Sequence, residues 1–139
     1  MNKGFSLRVL EDNFEIVNYT TDNLPIRSVT SVQEDYPTLS VVNHWHNDLE
    51  FSYVTKRYML YSVNGERAEL NEGDVIFVNS ARLHYGYWEK KEECEFLCVL
   101  FGLAIAMRCG FVNSSYFAEV FWRYIVKSPK QFQYDFKNL

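Results

Sequence analysis

The sequence predicts a mainly β fold, a small barrel or sandwich, followed by a short three-helix C-terminal tail. Three observations predict it. The dipeptide Asn64-Gly65 joins two runs, and Asn-Gly favours a tight hairpin turn because both central residues need positive φ. Short apolar runs alternate with turn residues as far as Phe101, the spacing of a barrel or sandwich. Beyond Phe101 the apolar period changes from two to about 3.6.

The elements follow in order. Pro25 and Pro37 break the first third of the chain. Residues 58–63, Tyr-Met-Leu-Tyr-Ser-Val, form a strand, residues 66–70 return from the hairpin, and Asn71-Glu72-Gly73-Asp74 turns again. Residues 75–78 make a short buried strand and residues 94–101 the last one. In the tail, residues 103–109 read as a short helix ended by Gly110. Over residues 113–125, Tyr116, Phe117, Val120, Phe121 and Tyr124 fall on one helical face, with Asn113 as N-cap. Ser128-Pro129 starts a third helix, with proline at its first position. The expected division is a β domain over residues 1–101 and a helical unit over residues 102–139.

A chain of 139 residues is one domain long, and 47% hydrophobic with 17% aromatic residues supplies a packed core. Residues 1–101 carry 9 Lys/Arg against 16 Asp/Glu, whereas residues 102–139 carry 5 against 2. An acidic body with a basic tail points either to a nucleic-acid partner or to a tail that docks on its own body. Cys94, Cys98 and Cys109 are an odd number in no zinc-site spacing, so they are expected as small core residues in a reducing compartment. Glu11 interrupts the first residues before a signal-peptide apolar stretch forms, and the longest apolar run, residues 96–107, is too short to span a bilayer. A cytoplasmic protein with no membrane partner is expected. The same run, left without cover, argues for a homodimer.

All three histidines take part in one pattern. His44 and His46 stand in HWHNDLE, and on a strand residues two apart share a face, so His44, His46 and Glu50 point together. Trp45, Leu49, Phe51 and Tyr53 then form an apolar opposite face. His84 follows a hairpin and a further strand, in GDVIFVNSARLH. Three imidazoles and a carboxylate are a competent ligand set for one divalent transition metal, and equally a hydrogen-bonding pocket for a small molecule. Tyr53, Tyr61 and Tyr85 are weaker candidates for the pocket wall.

HWHNDLE and GDVIFVNSARLH resemble the two motifs of cupins, and that resemblance implies a jelly-roll-like cupin barrel with its ligands at His44, His46, Glu50 and His84. Thr38, Arg57, Asn79 and Ala81 replace glycines and a proline usual in those motifs, which favours a sensing cupin over a metalloenzyme. The tail, through Ile105-Ala106, Gly110-Phe111, Ser115-Tyr116-Phe117, Phe121, Tyr124 and Ser128-Pro129, resembles the C-terminal helix-turn-helix of AraC/XylS-type regulators. That resemblance implies an effector-binding and dimerising cupin, with a sugar among the effectors, joined to half of a DNA-reading domain. Asn113, Ser114 and Ser115 would face base edges, while Arg108, Arg123 and Lys127 would contact phosphates. The family's first helix-turn-helix has no counterpart here, and Gly102 alone joins the two parts, so DNA binding is expected to be weak. With no Ser/His/Asp or Cys/His nucleophile pattern, the chain reads as a regulator rather than an enzyme. The alternative is a metal-binding cupin enzyme using His44, His46, Glu50 and His84.

Overall fold

The computed structural model describes residues 7–20 and 23–108. Seven antiparallel strands form two sheets: β1 (Ile26–Val32), β2 (Leu49–Lys56), β3 (Tyr58–Val63), β4 (Glu66–Asn71), β5 (Val75–Val78), β6 (His84–Tyr87) and β7 (Glu95–Phe101). The larger sheet has the order β1-β7-β2-β5 and the smaller β4-β3-β6. A single 3-10 turn, Gln33–Asp35, follows β1, and α1 (Leu103–Arg108) follows β7.

Local sequence explains the connections. Asn64 (φ 48°) and Gly65 (φ 84°) both adopt positive φ, as the two-residue hairpin between β3 and β4 requires. Arg57 takes φ 65° where β2 turns directly into β3. Strand β2 alternates as expected of a half-buried strand: Glu50, Ser52 and Val54 are buried on the inner face, while Phe51 and Tyr53 are half-buried on the other. On that outer face the Phe51 ring packs on Phe77 at 5.3 Å and on Phe101 at 5.9 Å. Inside, Val54, Met59, Leu70, Val78 and Cys94 are fully buried, beside Trp88 and Phe96. Trp88 donates its indole N–H to the Tyr58 carbonyl at 2.9 Å, so the ring is buried without an unmet donor.

Two expectations need correction. A three-helix tail does not describe the fold, since the described residues beyond β7 hold one α-helix, Leu103–Arg108. The other two helices, over residues 113–125 and from Ser128, lie outside the described residues. Nor does a strand run through HWHNDLE. β2 begins only at Leu49, and residues 44 and 45 form isolated bridges, His44 with His84 and Trp45 with Phe14. Ladder pairing gives way there because Trp45 exchanges its backbone bonds with the N-terminal segment, through Asn13 O and Glu15 N.

Leu70→Ala should lower unfolding free energy by about 2–5 kcal/mol, because it opens a cavity in the fully buried cluster. Val42→Ala, at a position 55% exposed, should stay within about 0.5 kcal/mol of the parent. Urea denaturation of both variants checks this assignment of the core, and equal losses would contradict it.

Candidate metal centre

The two histidine-bearing segments are tied together by backbone. His44 N–H donates to His84 O at 3.2 Å and His84 N–H to His44 O at 2.9 Å. His46 sits in the turn before β2, where its carbonyl accepts the N–H of Ala81 at 2.8 Å. Glu50 is the second residue of β2, paired with Val78 on one side and Leu100 on the other. Although no continuous strand runs through them, His44, His46, Glu50 and His84 converge. Their donor atoms all lie within 4.8 Å of one another, and all four residues are buried.

All three rings are oriented by one device. Nδ1 of His44 faces Val42 O at 2.6 Å, Nδ1 of His46 faces Asp48 O at 3.0 Å, and Nδ1 of His84 faces Arg82 O at 2.7 Å. A carbonyl only accepts, so each Nδ1 carries a proton, and a neutral ring then turns an Nε2 lone pair inward. Backbone carbonyls in this position are the usual outer support of metal-binding imidazoles.

Glu50 divides its two oxygens. Oε1 accepts from Ser52 Oγ at 2.9 Å, Cys98 Sγ at 2.9 Å and Tyr61 OH at 3.4 Å. Oε2 stands 2.8 Å from His46 Nε2 and 2.9 Å from His84 Nε2. Lone pairs and a carboxylate at those distances repel unless a proton or a cation lies among them. Burial would raise the Glu50 pKa, but the charge on His84 and the bonds from His46 and His84 hold it well below the usual range. Burial works against the charge on His84, and Glu50 outweighs it, so the His84 pKa is raised. Burial, and then the His84 charge, lower the His44 pKa to about 4. Glu50 therefore favours positive charge on His84, while burial favours neutral imidazole at His44. Three nitrogens and one carboxylate oxygen, pre-oriented and buried, fit a divalent first-row ion.

Other residues at the site carry no motif in the sequence. Ser52 stands two residues beyond Glu50 on the same strand face, so the period of two would have found it. Cys98 was expected as an inert core residue, yet it lies in the pocket as a donor; burial pushes its thiol pKa well up, which keeps the proton. Cys94 is the core residue expected, and Cys109 lies outside the described residues. Glu15 and Arg27 form a buried pair beside the cluster, with Arg27 Nη2 donating to Glu15 Oε1 at 2.7 Å. Of the three tyrosines, Tyr61 reaches the site, Tyr53 stands on the outer face of β2, and Tyr85 pairs with Tyr87 at 5.3 Å.

The cavity beside the cluster, lined by Arg27, Ser31, His44, Ser52, Tyr61 and Cys98 among others, measures about 40 Å³. That is room enough for bound water, which needs about 10–15 Å³ of accessible space. Asn113, Ser114, Ser115, Arg123 and Lys127 lie outside the described residues, and Arg108 is exposed at the end of α1. Among the described residues no helix is long and apolar enough to cross a membrane.

Comparison with known proteins agrees with this geometry. Residues 32–100 match the family model of the cupin domain. Over 92 residues, 66% of this chain, the sequence is 27% identical to an uncharacterised HTH-type transcriptional regulator of Bacillus subtilis. The match spans 32% of that protein, so this chain corresponds to about a third of the regulator's length. A cupin 2 conserved barrel domain protein from Salinispora arenicola superposes with a TM-score of 0.53 at 20% identity, covering 68% of this chain and 78% of the other. A double-stranded β-helix protein from Klebsiella pneumoniae gives 0.51 at 18% identity, covering 59% and 71%. The strand order, the two-motif site and the family match give one conclusion: residues 32–100 are a cupin domain.

Proposed function

We propose that this chain is the sensing part of a transcriptional regulator, whose cupin pocket holds a divalent transition metal through His44, His46, Glu50 and His84. The observation that carries the reading is the convergence of the His44, His46, Glu50 and His84 donor atoms within 4.8 Å, with each Nδ1 facing a backbone carbonyl. The His46 and His84 nitrogens suit the Glu50 carboxylate only with a proton or a cation between them. With a cation among them, the same atoms become complementary. The cavity of about 40 Å³ beside the ligands leaves room for water or a small ligand on the ion.

The regulatory half of the reading rests on the Bacillus subtilis relative and on charge. An acidic body and a basic tail carrying Arg123 and Lys127 suit a weak contact with DNA, with Asn113, Ser114 and Ser115 beside the bases. The apolar run over residues 96–107 supports a homodimer, the form in which two weak contacts add. A cytoplasmic location follows from the same reading. The alternative, a metal-dependent cupin enzyme, is favoured by one observation: the cavity leaves room for a reacting group beside the ligands. Turnover of a small molecule by the metal-loaded chain would select it.

The chain should bind one divalent ion per molecule, and His84→Ala should weaken that binding at least about tenfold. Chelator competition with cobalt(II) or nickel(II) measures both. Equal affinities for the two proteins would place the ion elsewhere. Light scattering should give a dimer. Its binding to a promoter fragment should be weak at physiological salt, fall steeply as salt rises, and drop further in Arg123→Ala or Lys127→Ala. Nanomolar, sequence-specific affinity under those conditions would contradict the weak-contact reading.

A further inference from the structure

We infer that Glu15 supplies a second carboxylate to the metal centre, as a fifth protein donor that neither cupin motif contains. The inference rests on the reading of the His44, His46, Glu50 and His84 cluster as a metal site. Glu15 comes from the N-terminal segment, outside residues 32–100, and reaches the cluster by backbone pairing. Glu15 N–H donates to Trp45 O at 2.9 Å and Trp45 N–H donates to Asn13 O at 2.9 Å. Trp45 lies between two ligand histidines, so these bonds fix the segment alongside them. The Trp45 ring adds to the hold, packing edge-on against Phe14 with centroids 4.7 Å apart.

The side chain is then aimed by Arg27. Its guanidinium binds Glu15 Oε1 at 2.7 Å and leaves Oε2 directed at the site, 4.0 Å from His46 Nε2. Glu15 is fully buried, and among the described residues Oε2 has no hydrogen-bond partner. A buried carboxylate oxygen without a partner is costly, and such groups in native proteins are met by an ion, a water or a ligand. Two donors each about 2.1 Å from one ion lie no more than about 4.2 Å apart, so the 4.0 Å from Oε2 to His46 Nε2 would allow both to hold one ion. The 2.8 and 2.9 Å separations of Glu50 Oε2 from His46 and His84 suit neighbouring donors on it.

The chemistry of the ion follows. Three imidazoles and two carboxylates favour a divalent ion that accepts five or six nitrogen and oxygen ligands, over one that closes at four. Two anionic donors also offset both charges of the ion.

Cobalt(II) is the probe for the test, because its visible absorption responds to ligand number and type. Glu15→Gln keeps the volume and an oxygen for Arg27 but removes the anion. It should bind cobalt(II) about ten- to a hundredfold more weakly than the parent, with a shifted absorption spectrum. Should that variant fail to fold with Arg27 uncompensated, the paired replacement Glu15→Met with Arg27→Met removes the buried charges together, and the same loss and shift are expected. A folded variant of either kind that matches the parent in affinity and spectrum overturns the role of Glu15 and leaves the four-residue site standing. A parent protein that binds no cobalt(II), nickel(II) or manganese(II) overturns both.

Discussion

One buried carboxylate organises this structure. Glu50 lies inside the barrel with an imidazole on each side of one oxygen and three side-chain donors around the other. An unpaired carboxylate in such a place would cost several kcal/mol, roughly half of what holds a small domain together. The fold meets that cost from four directions. β2 carries Glu50 and Ser52, β7 brings Cys98, β3 brings Tyr61, and the bridge between His44 and His84 brings the imidazoles. The site is therefore a joint between the two sheets, and changes in it are felt as changes in packing.

The same constraint gives each group one task. Ser52, Cys98 and Tyr61 fix the rotation of the carboxylate, so that one oxygen faces the histidines. Carbonyls of Val42, Asp48 and Arg82 fix the rings. A burial-raised thiol pKa keeps Cys98 a donor; as a thiolate it would oppose Glu50. Such pre-orientation is what tight binding of a small cation needs, since little order remains to be imposed when the ion arrives.

Much of this was legible in the sequence, for definable reasons. Asn64-Gly65 gave a hairpin because its chemistry is local. His44, His46, Glu50 and His84 were legible from spacing and from resemblance to the two cupin motifs, yet the continuous strand expected through His44, His46 and Glu50 does not hold. They converge through one bridge and one turn instead. Ser52 lies within reach of a period of two. Cys98, Glu15 and Arg27 were not legible, because the pairing of β7 with β2 and of residues 13–15 with Trp45 brings together positions far apart in the chain. Of the helical period after Phe101 the described residues show α1, Leu103–Arg108, and the other two expected helices lie outside them. The basic tail and its expected DNA contacts rest on composition and resemblance, which carry no geometry.

The central claim is that the cluster around Glu50 is a metal centre. Anomalous diffraction from crystals of the chain, grown after loading with one divalent transition metal, tests it most directly. The account predicts one strong anomalous peak per chain, about 2.1 Å from Nε2 of His44, His46 and His84 and from Glu50. A site with no anomalous peak, with His46 and His84 still bonded to Glu50 through protons alone, would contradict it.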